Sequence, residues 1–191
     1  MPRTETQRDD NHAIQNARGW SETITALVAA LNADYDRLEE LRDERADLMA
    51  ERDDKSAAAV TRALAVKALE RWDEENGEEL RGLVEAVTVD GDEMKDADAA
   101  RERILESALD AQIRSGRYTP GDTPEPEEFA ILLTTGGPAL RIRGELGEHN
   151  EPERAWLEYQ DWGTPWTEFH GEGAASQDDL LAFCSVFYFG E

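Results

Sequence analysis

Leu157-Glu158-Tyr159-Gln160-Asp161-Trp162-Gly163-Thr164-Pro165-Trp166 is the centre of a longer stretch, 128–170, and the fold turns on how that stretch is read. Nine of the chain's fourteen aromatic residues lie between Trp156 and Phe189. Aromatic side chains bring the largest burial gain per residue, so the best-packed core is expected here. Within 154–161, Trp156 and Glu158 alternate with Ala155, Leu157 and Tyr159, which is the two-residue period of a strand.

Working outward, 139–146 also alternates and reads as a strand with one wet face, and 129–134 as a short apolar strand. Thr135-Gly136-Gly137-Pro138 is the turn between them. A further strand is expected over 108–115, where Leu109, Ala111 and Ile113 alternate with polar residues. The Pro/Gly-rich link 118–127 follows it. These segments predict an antiparallel meander of three or four strands. Ser176-Gln177-Asp178-Asp179 opens a last helix, with a capping hydroxyl and acids at its positive dipole end. Leu180, Leu181, Phe183, Cys184 and Phe187 are expected inward, covering one sheet face. Residues 107–191 thus read as an α+β domain.

The first half of the chain is helical in pattern. Residues 1–20 are polar without periodicity and read as a flexible arm. Ser21 can cap a helix. Ile24, Leu27, Val28, Leu31, Tyr35, Leu38, Leu41, Leu48 and Met49 then recur at alternating three- and four-residue spacing, a coiled-coil seam. No Gly or Pro occurs from Trp20 to Asn76. One helix over 21–54 would be roughly 50 Å long and cannot bury that stripe alone. After Ser56, Val60, Leu64, Ala68, Leu69 and Trp72 share a face as far as Asn76-Gly77, a helix stop. A long antiparallel helical hairpin is the first expectation. A parallel dimeric coiled coil is the second, because Arg45 sits in the seam and heptads are few. A short helix over 78–87, a loop at Asp90-Gly91-Asp92 and a helix capped by Asp96 or Asp98, with Ala100, Ile104 and Leu105 inward, complete a helical region over 21–106.

The net charge is −24, from 44 acidic and 20 basic residues. Such a field repels nucleic acid and anionic membranes and attracts basic surfaces. The alternative is that acidity only confers solubility or reflects a high-salt habitat. With Cys184 the only cysteine, no intramolecular disulfide can form, which fits a reducing cytoplasm. No apolar run approaches a membrane span, and 1–18 lacks an apolar signal core. A cytoplasmic protein is expected.

The local motifs carry no chemistry. A calcium loop starting at Asp90 fails at Met94 and Lys95. Gly136-Gly137 joins two strands and lacks the lysine of a phosphate loop. His12, His149 and His170 show no ligand spacing. Cys184 sits among apolar neighbours, as a small buried hydrophobe does. Glu145, Glu158, Asp161 and Glu168 lie near the aromatic cluster and read first as a solvated strand face. Eleven acids and one arginine from Glu145 onward argue against base stacking on the aromatics. No catalytic residue, metal ligand or cofactor is therefore expected.

What remains are acidic strips. Residues 34–54 hold ten acids and four arginines, and 70–106 hold fourteen acids and five basic residues. The candidate partner-binding residues are Asp36, Glu39, Glu40, Asp43, Glu44, Asp47, Glu51, Glu74, Glu75, Glu78 and Glu79. The segments 131–139, 157–162 and Phe187-Tyr188-Phe189-Gly190-Glu191 resemble small proteins common in phages and prophages, a group with no motif of assigned chemistry. That resemblance implies a mobile-element setting. By analogy of class, it points to acidic inhibitors of host defence that mimic DNA, such as anti-CRISPR or anti-restriction proteins. The expectation is a non-enzymatic protein that binds a basic, nucleic-acid-binding partner in the bacterial cytoplasm and not nucleic acid itself, with a homodimer open. The alternative is a structural or adaptor coiled-coil module of a phage or its host.

Overall fold

The structure is a computed structural model and describes residues 12–190. Its helices are α1 (His12–Leu31), α2 (Tyr35–Asp53), α3 (Ala59–Ala86), α4 (Ala97–Ser107) and α5 (Gln177–Cys184). Its strands are β1 (Thr88–Val89), β2 (Asp92–Glu93), β3 (Asp110–Ser115), β4 (Pro126–Thr134), β5 (Ala139–Leu146), β6 (Pro152–Gln160) and β7 (Thr167–Glu168). The fold is α+β: N-terminal helices, then antiparallel sheet, then a C-terminal helix. Packing divides the described residues into two units, 12–28 with 98–190, and 29–97. Most of α1 and all but the start of α4 thus belong to the unit with the sheet, whereas the sequence pattern placed 21–28 and 98–106 in one helical region with the hairpin.

In the first unit, β3 to β7 form one antiparallel sheet in chain order, five strands rather than three or four. The alternation sets its faces. Phe129, Ile131, Leu133, Leu140, Ile142, Ala155 and Leu157 are buried on one side. On the other, Arg143 lies opposite Trp156 and Arg141 opposite Glu158. Gly136 and Gly137 make the β4–β5 turn with φ of 105° and 129°, a conformation open to glycine but strained for other residues. Ser176 caps α5 as expected, its side chain accepting from the Asp179 N–H at 3.0 Å. Leu180, Phe183 and Cys184 are buried, whereas Leu181 and Phe187 are only half-buried. Burial also pushes the Cys184 thiol pKa up, keeping it protonated.

Several expectations are corrected. The arm ends sooner than 20, because α1 is helical from His12; residues 1–11 lie outside the described residues. Ser21 is not a cap. Its hydroxyl donates to the Ala17 carbonyl inside α1, at 2.9 Å. With Ala13 and Ala17 it makes a small buried face, and Asn16 nearby donates to Thr134 of β4. Nor is 21–54 one helix. The Asp34 carboxylate accepts from the Arg37 N–H at 2.9 Å and starts α2 afresh, since Asp and Asn side chains compete for the backbone in this way. Leu105 in α4 is 45% exposed rather than inward, while Ala100 and Ile104 are buried.

In the second unit, α2 and α3 form the antiparallel hairpin. Arg37 pairs with Glu79 and Arg45 with Asp73, so one number rises as the other falls. Leu38, Leu41, Ala65, Leu69 and Trp72 bury the seam within one chain. Of the expected inward stripe of α3, Leu69 and Trp72 are buried, but Val60 and Leu64 are 73% and 63% exposed. Ala68 of the same row is exposed too, because α3 turns the row of Ala65, Leu69 and Trp72 toward α2. Asn76-Gly77 does not stop α3. Asn76 donates to the Trp72 carbonyl at 3.3 Å, and half-buried Leu80, Leu83 and Val84 extend the apolar row to the end of the helix. The 90–92 loop is the turn of a two-stranded hairpin. Asp90 and Gly91 both take positive φ, 52° and 88°, as a type I′ Asp-Gly turn requires.

Two glycine substitutions separate close approach from open space. A Cβ at Gly144 runs into the Arg154 carbonyl oxygen and the Phe129 ring, and one at Gly77 meets nothing within 4 Å. Gly144→Ala is expected to destabilise the fold by about 1–3 kcal/mol. Gly77→Ala is expected to stabilise its helix by about 1 kcal/mol. Urea unfolding curves of the two variants check both signs.

Candidate functional site

The second unit carries 21 acidic and 10 basic residues over 29–97, and its charges are sorted by position. All eleven candidate residues are exposed. Asp36, Glu40, Asp43, Asp47 and Glu51 follow one another at spacings of four, three, four and four along α2. At about 100° per residue they share one face, on the far side of the helix from Leu38 and Leu41. On α3, Glu70, Glu74 and Glu78 do the same, roughly opposite Ala65, Leu69 and Trp72; exposed Arg81 comes next on that face, and Glu85 follows it. Each strip is about 22 Å long at 1.5 Å per residue. Because α2 and α3 bury their apolar rows against each other, the two strips point outward in opposite directions. Between them lies the thickness of two packed helices, about 20 Å.

Glu70 and Glu85, which were not among the expected residues, are exposed members of the same row as Glu74 and Glu78. The four-residue spacing of Glu70, Glu74 and Glu78 was the available signal. The expected residues also included some that serve the hairpin itself. Glu44 accepts from the Trp72 indole N–H at 3.0 Å. Glu79 pairs with Arg37, Glu75 with Arg71, and Glu39 lies on the flank of the α2 strip.

The arginines explain why the α2 strip stays largely uncompensated, whereas the α3 strip has Arg81 on its own face. Arg37 reaches Glu79 and Glu40, Arg45 reaches Asp73, and Arg42 grips Glu93 of β2 with both Nη atoms at 2.6 and 2.7 Å. Exposed pairs of this kind contribute little to stability. Their main effect here is to keep cations at the joints between elements. Among the described residues, Glu40 is the one strip member in an ion pair.

The carboxylates of the aromatic cluster are tied down separately. Glu158, 9% exposed, uses both oxygens: Arg141 Nε at 2.7 Å on one, Trp156 Nε1 at 3.0 Å on the other. Glu168 lies opposite Glu158 in the β6–β7 register and pairs with His170. Glu145 pairs with Arg154, and Asp161 accepts from the Trp162 N–H. Arg141 also stacks on Trp166 at 4.2 Å. This is a cross-strand ion-pair cluster whose partners hold each other in place. No group of three His, Cys, Asp or Glu able to hold a metal is found among the described residues. No described helix is long and apolar enough to cross a membrane. Comparison with known families, characterised proteins and solved structures gave no significant match.

The hydrogen bonds from Arg42 hold the Glu93 carboxylate below its ordinary value of 4.5, as those from Arg37 do for Glu79. A depressed folded pKa means a stabilisation that is complete above the ordinary value and is lost as pH falls through the folded one. In an NMR titration, Glu93 should therefore titrate below 4.5 in the native chain. In Arg42→Gln its midpoint should move up toward that value.

Proposed function

We propose that this chain is a non-enzymatic binding protein whose acidic hairpin occupies a basic groove of another protein. The groove is of the kind that otherwise surrounds nucleic acid. The observation that carries the reading is the outward, opposed placement of the two strips. A flat basic surface meets one strip only, whereas a cleft that closes around a rod meets both. The pairing register offsets the two strips, so their nine carboxylates span about 28 Å, or about one per 3 Å, against about 1.7 Å per charge along duplex DNA. The most concrete form is an inhibitor of a host defence nuclease or CRISPR effector in the bacterial cytoplasm, acting by occlusion of its nucleic-acid channel. The resemblance to phage-borne proteins supports that setting. A self-associating adaptor is less well supported, because Leu38, Leu41, Leu69 and Trp72 bury the seam within one chain.

The test is competition. The protein is used to recover partners from a bacterial lysate at low salt, and any nucleic-acid-binding protein recovered is titrated against duplex DNA. The expected outcome is mutual displacement, weakening with salt, and no affinity of the chain for DNA itself. Neutralising the α2 strip with Asp→Asn and Glu→Gln changes should weaken binding by roughly a hundredfold. Neutralising the α3 strip should weaken it further, since a cleft contacts both. Binding that survives loss of both strips, or that is indifferent to salt, leaves the acids a solubilising role only.

A further inference from the structure

The sheet ends on one side in β3, and no strand lies beyond it among the described residues. Such an edge presents backbone donors and acceptors to any extended chain, and proteins usually guard it with proline, lysine or a bulge. Asp110-Ala111-Gln112-Ile113-Arg114 has neither proline nor lysine, and its register shift comes only after Arg114. The apolar layer also runs out past its cover here. Leu109 and Ile113 are 58% and 52% exposed, although Ile131 and Phe129, opposite Ala111 and Ile113 on β4, are buried.

The charges on the other face are arranged about a centre. Asp110 is negative, Gln112 neutral and Arg114 positive, all on one side of the strand. A second copy running antiparallel, with its Gln112 opposite this one, sets Asp110 against the partner's Arg114, and Arg114 against the partner's Asp110. The same register lays Ala111 against the partner's Ile113 twice on the apolar side. A shift by one residue would put polar against apolar positions. A shift by two removes both opposite-charge pairs. We propose that β3 is a self-pairing edge: two copies join β3 to β3 about Gln112, making one continuous ten-stranded sheet that covers Leu109 and Ile113. Arg114 already holds Glu128 on its own sheet and so stands braced at the edge. The proposal is independent of the hairpin. The two also respond oppositely to salt: screening the net charge favours self-pairing and weakens capture of a basic partner.

The experiment is sedimentation velocity over a concentration series at about 0.15 M salt, where screening acts within about 8 Å. The native chain is expected to double in mass with concentration. Asp110→Arg alone and Arg114→Asp alone each set like charges opposite at both pairs, and should weaken the dimer about tenfold. Mixed together, those two variants place arginine opposite aspartate at both pairs, so the mixture should associate as the native chain does. Circular dichroism confirms that each variant keeps its sheet. A native chain that stays monomeric at every concentration, leaving the edge to a strand from some other protein, overturns the proposal. So does a dimer indifferent to both single changes, or a mixture that fails to recover.

Discussion

Mutual repulsion among 44 carboxylates is the constraint on which everything else in this structure depends. Long-range repulsion of that size opposes any compact state, and only short-range terms can hold it. The burial of apolar rows supplies the larger part, through Leu38, Leu41, Leu69 and Trp72 in the hairpin and Phe129, Ile131, Ile142, Leu157 and Phe183 under the sheet. Cations supply the rest, and they are placed where elements meet. Only three of the 20 basic residues are lysine. A joint between two elements favours arginine, whose planar fork can hold a carboxylate with two parallel bonds. Arg42 on Glu93 and Arg37 on Glu79 do this in the hairpin.

The same economy of cations shapes the sheet. Its uncovered face carries Arg114, Arg141, Arg143 and Arg154, interleaved with Glu128, Glu145 and Glu158. Glu128 sits between Arg143 and Arg114, and their hydrogen bonds hold its carboxyl below the usual range. Trp156 and Trp166 lie against the arginines. This face is therefore close to neutral, in contrast to the hairpin. Cross-strand pairing accounts for it: residues two apart on one strand meet residues two apart on the next, so alternating charges compensate across the ladder. On the outer face of α2, by contrast, an acid every three or four residues has mainly other acids beside it. Sheet and hairpin thus present different electrostatic surfaces, one near neutral and one acidic.

A charged rod of this kind acts at a distance before it acts by contact. Its field steers encounter with a basic partner, and its two helices hold the strips in fixed positions, so little ordering remains when a groove closes on it. The α2 carboxylates keep their charge available because Arg42 and Arg45 are turned to Glu93 and Asp73.

Much of the fold could be read from the residues. Alternation in 139–146 and 154–161, the cap at Ser176 and the charge of −24 are local or additive properties. They therefore located the central strands, the last helix and the acidic hairpin with most of its strip residues. Other features were not open to that reading. On α3, the rows Val60–Leu64–Ala68 and Ala65–Leu69–Trp72 are equally good apolar stripes. Which one is buried is decided by the face that α3 turns toward Leu38 and Leu41 of α2. Asn76-Gly77 is a helix stop in isolation and a helix interior when an apolar row continues beyond it. Asn32-Ala33-Asp34 is helical by period, yet Asp34 breaks the helix by taking a backbone N–H. The sequence alone determined which segments have a period and how much charge they carry, because those depend on neighbours in the chain. Which row faces inward, where a helix ends and which acids remain uncompensated were decided by tertiary structure, because each depends on a side chain supplied from far along the chain.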